Sequence, residues 1–209
     1  SRGLGDVYKR QGRLFALPVS NAEGAPLSAG ALRDGLATVL ELAAQPGEAA
    51  QDFNAPSLLG SGILADLLPM ILDKGSNRAT YERLSDMLFT IDIQDAAADA
   101  PATSDTERIR EATFAPRGAW VYKPLSYQIS LNSDWAAVHV EHSCQDGATL
   151  VTAINRMQNA ELTDAADSAD ASAEPEELAW GLDDATQQTI SAHLDLSLIH
   201  ISEPTRLRR

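Results

Sequence analysis

Three observations predict an α/β or α+β layer fold for this chain. Residues 125–131, L-S-Y-Q-I-S-L, alternate polar and apolar as a half-buried strand does. Leu32, Leu36, Val39 and Leu40 recur at helical spacing. Strand and helix patterns of these kinds follow one another along a single chain, which is how layered mixed folds are written.

The two ends are set aside first. Residues 1–11, S-R-G-L-G-D-V-Y-K-R-Q, can be encoded by a DNA string whose reverse complement translates as L-S-L-I-H-I-S-E-P-T-R, and residues 196–206 read just that. Neither folding nor selection produces such a relation. The string resembles a transposase adaptor used in preparing DNA libraries, so residues 1–11 and 196–209 are expected to be adaptor-derived and are excluded from fold reasoning. Residues 12–195 are expected to be an internal fragment of a longer gene. They hold enough Leu, Ala, Ile and Val to bury one core, so one domain or most of one is expected.

The elements run in this order. L-F-A-L-P-V (14–19) reads as a strand. Ser28 begins a helix that Gln45-Pro46-Gly47 stops. The stretch 57–72 is apolar but broken by Gly60, Gly62 and Pro69, and reads as a loop followed by a helix. Asn77 suits the N-cap of a helix carrying Tyr81, Leu84 and Leu88, which runs into a strand, F-T-I-D-I, at 89–93. The strand at 125–131, the turn residues Asn132-Ser133-Asp134 and the extended W-A-A-V-H-V-E-H form a hairpin. Asp146-Gly147 opens a helix with Leu150, Ile154 and Met157 at helical spacing, and Asp183 or Asp184 caps a final helix with Ile190 and Leu194 on one side.

Charge narrows the partners. The formal net charge is −14, and each adaptor-derived end contributes +2, so the remainder stands at about −18. A nucleic-acid or anionic-membrane surface is not expected from such a chain. No apolar run approaches the length of a membrane span. The acidity gathers in two Ala/Asp/Ser-rich tracts, 94–107 and 160–177, which read as solvated loops. A single cysteine, Cys144, rules out an internal disulfide and fits a reducing compartment.

The stretch H-V-E-H-S-C-Q-D-G (139–147) carries the chemistry. His142 sits where a strand pattern gives way to a helix pattern, a junction at which open sheets bind ligands and loops hold reactive groups on a rigid frame. Asp146 is expected to pair with an arginine or cap the following helix, and Gly147 to permit a tight turn or close approach. Plainer readings exist: His142 as an ordinary hydrogen-bonded histidine, His139 with His142 as a metal pair, or Cys144 as a nucleophile. A strand would point His139 away from His142, and neither a third histidine nor a second cysteine clusters nearby, so no metal site is expected. Trp120 and Trp135, flanking the hairpin, read as core more readily than as a cage for a quaternary ammonium.

The spacing H-x-x-x-D-G, met at His142, Asp146 and Gly147, is that of CoA-dependent acyltransferases. The wider string "WVYKPLSYQISLNSDWAAVHVEHSCQDGATL" resembles the choline/carnitine O-acyltransferase family, whose pattern runs R-W-x-D-K, a hairpin, then F-E-H-S-x-x-D-G. "GRLFALPVSNAEGAPLSAGALRDGLATVL", "NRATYERLSDMLFTIDI" and "LAWGLDDATQQTISAHLD" resemble other segments of the family in its order, so the likeness covers essentially all of 12–195. Tyr122 and Ala119 stand where the family has Asp and Arg.

The resemblance implies a CoA-dependent acyltransferase-like mixed sheet flanked by helices, incomplete here, a fragment of a two-domain enzyme. It implies transfer of an acyl group between CoA and the hydroxyl of carnitine or choline. His142 would be the general base, removing the hydroxyl proton as the oxygen attacks the thioester and returning it to the CoA thiolate. An imidazole titrates near pH 6.5 and so is substantially free to accept a proton at neutrality, whereas an alcohol keeps its own. Acyl-CoA or CoA is then a co-substrate, with no tightly bound cofactor. The oxyanion donors and CoA-binding residues are expected in the missing C-terminal part of the same chain, leaving this fragment inactive alone. Two other readings stay open: an H-x-x-x-D-G acyltransferase with a different acceptor, and a non-catalytic acidic interaction module. The compartment is not fixed by the residues, and would be cytoplasmic if the source is bacterial.

Overall fold

The computed structural model describes residues 5–10, 12–47, 53–94, 104–114, 120–143, 145–160 and 172–202. Its strands are β1 (Gly5–Arg10), β2 (Arg13–Pro18), β3 (Thr90–Gln94), β4 (Leu125–Ser130), β5 (Ala136–Val140) and β6 (Glu176–Leu178). They form one sheet in the order β5-β4-β3-β1-β2-β6. β1 pairs parallel with β3, and β3 with β4; the pairs β1–β2, β2–β6 and β4–β5 are antiparallel. Helices α1 (Ala29–Ala44), α2 (Ser61–Leu72), α3 (Asn77–Asp86), α4 (Asp105–Phe114), α5 (Gly147–Gln158) and α6 (Asp184–Ser202) accompany it. The mixed sheet flanked by helices is the fold class expected. β1 and the end of α6 lie in the segments expected to be adaptor-derived.

β2 explains the layering. Leu14, Phe15, Ala16 and Leu17 are all fully buried, the continuous apolar run of a strand covered on both faces. Leu14 and Ala16 point to one side, into a core with Ile71, Leu84, Trp120, Trp180 and Ile190. Phe15 and Leu17 point to the other, against Val39 and Ala43 of α1 together with Ile93 and Ala173. Each face of the sheet is thus closed by helices.

Local chemistry sets the helix ends. Ser28 caps α1, its Oγ accepting from the Ala31 N–H at 3.1 Å. Gln45 ends it with φ −80° and ψ 152°, the extended conformation that a following proline imposes. Gly60, at φ 80° and ψ 154°, separates a short 3-10 turn (Ala55–Leu59) from α2. Pro69 does not break α2, although it lies inside the helix and withholds the backbone donor that would reach the Ala65 carbonyl.

Four expectations are corrected. Ser76, not Asn77, takes the N-cap position of α3, because the buried Asn77 amide is occupied elsewhere: it donates to the Ile71 and Gly181 carbonyls at 2.9 and 2.7 Å. Leu88 lies beyond α3 and is exposed. The end of the first acidic tract is α4, started by a capping box in which the Ser104 Oγ accepts from the Glu107 N–H and the Glu107 carboxylate accepts from the Ser104 N–H. The end of the second tract is β6, paired with β2 through Leu14↔Leu178, Phe15↔Glu177 and Ala16↔Glu176. Residues 95–103 and 161–171 of those tracts lie outside the described residues.

A long-range ion pair fastens β6 in place. The Arg13 guanidinium, buried beside the Phe15 ring, donates from Nε and Nη2 to the two carboxylate oxygens of Glu177, both at 2.6 Å. Its Nη1 reaches the Leu42 and Gln45 carbonyls at the C-terminus of α1, where the helix dipole favours a cation. One side chain therefore ties together β2, β6 and α1.

Candidate active site

The β4–β5 hairpin carries the candidate site. Its register runs from Leu125↔Val140 to Ile129↔Ala136, and the Ser130 N–H donates to the Trp135 carbonyl across the turn at 3.1 Å. Two further bonds fix its ends: the Leu131 N–H donates to the Gln94 carbonyl at 3.0 Å, and the Glu141 N–H to the Pro124 carbonyl at 3.3 Å. β5 stands at the edge of the described sheet.

Behind the hairpin, Lys123 is buried, and its Nζ donates to the Ser85 carbonyl at 3.1 Å and to the Met87 carbonyl. It thereby satisfies carbonyls at the C-terminus of α3 and anchors the start of β4. Next to it, the Thr90 hydroxyl donates to Ser126 Oγ at 2.8 Å in the sheet interior. His139 lies across from Ser126 and is half-buried. Burial pushes its pKa down from the ordinary 6.5, opposed by the charge of Glu141, so the neutral ring is favoured.

β5 ends at Val140, so His142 lies in a turn beyond the strand, and strand alternation does not reach it. Its side chain is exposed. Glu141 closes the turn on one side of it: its Oε2 accepts from the Ser143 N–H at 2.9 Å and from the Ser143 hydroxyl. Asp146 closes the other side as the N-cap of α5, its Oδ1 accepting from the Thr149 N–H at 2.7 Å. The Asp146 carboxyl is held below its usual range, first by the Thr149 N–H, then by the Thr149 hydroxyl, with smaller help from the Ala148 N–H and the charge of His142. Along the chain His142 thus lies between two carboxylates, each engaged with the backbone that follows it.

Of the two roles expected for Asp146, capping is the one seen among the described residues. Gly147 opens α5 without a positive φ, and a Cβ there would meet nothing within 4 Å among them. Cys144 lies outside the described residues. Glu141 is the site residue that sequence reasoning passed over. Its signal was an acidic side chain two positions before a serine, the spacing of a local side-chain-to-backbone turn.

The surroundings are open. None of the residues of α5 is buried; Leu150 and Ile154 are half-covered, while Val151 and Met157 are 58% and 51% exposed. Tyr127 steadies the helix, its ring edge-on to Phe89 and its hydroxyl 3.9 Å from the Met157 sulfur. Trp120 is core, with Phe53, Tyr81 and Trp180 around it at ring distances of 5.1, 5.9 and 6.3 Å. Trp135 is half-exposed under the Arg108 guanidinium at 5.8 Å. A cleft of about 280 Å³ lined by Lys74, Asn77, Trp180, Gly181 and Asp183 shares no residue with the His142 turn. Among the described residues no group of three or more His, Cys, Asp or Glu is placed to hold a metal, and no helix is long and apolar enough to cross a membrane.

The model of one protein family, described as Choline/Carnitine o-acyltransferase, matches residues 7–197. No curated protein matches the chain significantly.

Proposed function

Because the chain belongs to the choline/carnitine O-acyltransferase family, we propose that it moves an acyl group between CoA and the hydroxyl of carnitine or choline, with His142 as the general base. The observation that carries this reading is the exposed His142 ring in a turn held from both sides by Glu141 and Asp146. A base must reach the proton it takes, so exposure beyond a strand end suits the role. The imidazole removes the acceptor's hydroxyl proton as the oxygen bonds to the thioester carbonyl carbon. When the C–S bond breaks, the same proton passes to the CoA thiolate, leaving the ring neutral.

The remaining machinery, including donors to the oxyanion and groups that hold CoA, is proposed to come from a C-terminal part of the same polypeptide. The exposed apolar side chains Leu131, after β4, and Val151 and Met157, on α5, support a covering partner. Residues 1–11 and 196–209 are proposed to be adaptor-derived on the reverse-complement relation of their codons, while the family match itself spans 7–197. Re-amplifying the locus from source DNA tests that division.

The test of function is an assay of the full-length gene product for CoA thiol release from acyl-CoA, with carnitine, choline and other alcohols as acceptors. His142→Ala lowers turnover roughly a hundred- to ten-thousand-fold if the ring is the base. A variant that works at the parent rate removes the assignment, and a parent that turns over none of the acceptors favours a non-catalytic role.

A further inference from the structure

His142 is the one residue between Glu141 and Ser143, and the side chain of the first closes on the backbone of the second. The Glu141 Oε2 accepts from the Ser143 N–H at 2.9 Å and from the Ser143 hydroxyl. The closed ring of bonds runs along the Glu141 side chain, through the peptide units on either side of His142, and back through that N–H. Both backbone torsions of His142 lie inside it. With φ and ψ held, the direction of the Cα–Cβ bond is held as well, and with it the rotamers open to the imidazole.

The ring is fastened at its base. The Glu141 N–H donates to the Pro124 carbonyl at 3.3 Å, one step beyond the Leu125↔Val140 pair. Pro124 follows Lys123, whose buried ammonium donates to the Ser85 carbonyl at 3.1 Å and to the Met87 carbonyl at the end of α3. Glu141 thus joins the body of the sheet through its backbone and the His142 turn through its side chain. The ladder ends at Val140, and the bond from Ser143 back to Glu141 is the local side-chain alternative that takes over from it. A carboxylate suits the task, because one oxygen takes both Ser143 donors and hydrogen bonds to an ionised acceptor are about twice as strong as neutral ones. Asp146 has a different object: its Oδ1 accepts from the Thr149 N–H and starts α5, downstream of the turn.

We propose that Glu141 is the positioning residue of His142, acting through Ser143 to hold the His142 backbone in the one conformation that presents the ring to the acceptor hydroxyl. The proposal rests on the reading of His142 as the base of an acyl transfer. Without the Glu141–Ser143 bonds the turn divides among several conformations, and only a fraction of the molecules has the ring in place. The rate constant kcat falls accordingly, since a misplacement of about 1 Å can cost a hundredfold. Binding of the substrates changes little, because the groups proposed to hold CoA lie elsewhere in the polypeptide.

Two measurements keep the turn and the chemistry apart. On this chain, amide exchange is read by saturation transfer from water. Glu141→Ala is expected to speed the Ser143 N–H roughly tenfold and leave Thr149 as it was, and Asp146→Ala to do the reverse. On the full-length gene product, Glu141→Ala lowers kcat roughly ten- to a hundredfold, with KM for acyl-CoA and acceptor within about twofold of the parent. Glu141→Gln, which keeps a carbonyl oxygen for Ser143, recovers most of that loss. A Ser143 amide indifferent to Glu141→Ala overturns the proposal, since the bonds then do not hold the turn. A Glu141→Ala enzyme with the parent's kcat overturns it too, as does a Gln variant as slow as the Ala variant, because the charge and not the hydrogen bonds would then be at work. A parent that turns over no acceptor sinks the acyl-transfer reading and this proposal together, and Ser143 exchange then tells a turn that Glu141 holds from one that it does not.

Discussion

Asn77 and Gly181, 104 residues apart, hold one another through a reciprocal pair of hydrogen bonds. The Asn77 Nδ2 donates to the Gly181 carbonyl at 2.7 Å, and its Oδ1 accepts from the Gly181 N–H at 3.0 Å. The same Nδ2 donates to the Ile71 carbonyl at 2.9 Å, and the side chain is 1% exposed. An amide, one group with both a donor and an acceptor, here does the work of a missing strand neighbour. Asn77→Ala removes both bonds to Gly181 and one of those to the Ile71 carbonyl, which keeps the Lys74 N–H, and is expected to cost about 1–2 kcal/mol, read from urea denaturation midpoints. Asn77→Asp does no better, because a carboxylate then faces two carbonyl oxygens.

Gly35 of α1 is expected to resist a change that helix propensity favours. A Cβ there would stand 2.5 Å from the Ala173 carbonyl oxygen and 2.8 Å from the Leu17 Cδ1. Alanine gains up to about 1 kcal/mol of propensity, but overpacking of this kind typically costs about 1–3 kcal/mol. Gly35→Ala is therefore destabilising on balance. Gly62→Ala in α2, where a Cβ meets nothing within 4 Å, is neutral or stabilising. The thermal midpoint of Gly35→Ala should fall, and that of Gly62→Ala should hold or rise.

Asp183 gives stability a pH dependence. Its carboxyl is lowered from 3.8 to about 2, first by hydrogen bonds from the Thr186 hydroxyl and N–H, then by Lys74, whose Nζ lies 3.1 Å away. The folded protein binds this proton less readily than the unfolded chain. The contribution is thus complete above about pH 4 and is lost as pH falls from 3.8 through about 2. Asp183→Asn keeps an acceptor at the N-cap of α6 but removes the charge. The difference in urea midpoint between parent and variant should shrink as the pH is lowered through that window.

Asp146 holds the start of α5 through the Thr149 N–H. Asp146→Ala is expected to fray the first turn, so that amides of Thr149 to Val151 exchange roughly tenfold faster, whereas Asp146→Asn retains most of the protection. A turn indifferent to Ala at this position would mean that the cap does not fix the backbone following His142.

How much of this was legible beforehand depends on how far apart the partners lie. Ser28 at the start of α1, the Gln45-Pro46 stop, Asp146 at the start of α5 and Asp183 at the start of α6 are readable because each acts on backbone within three residues of itself. The hairpin was readable for the same reason, since its turn and its alternation are local. The Ser104–Glu107 capping box that starts α4 was equally local, and was obscured by the acidic composition around it.

The candidate site divides along the same line. Glu141 and Asp146 each act on backbone within three residues of themselves, so the sequence by itself placed His142 at a junction ahead of α5, but it read the residue as the end of the extended segment, whereas β5 stops at Val140. Tertiary structure alone decided the rest: that Asn77 would serve Gly181 instead of its own helix, that Glu177 would leave an acidic tract to meet Arg13 across 164 residues, and that Trp120 would be core while Trp135 stayed at the surface. The physical reason is that a buried donor, acceptor or charge must find a partner wherever the fold provides one, and that place is fixed by the order of strands in the sheet rather than by spacing along the chain.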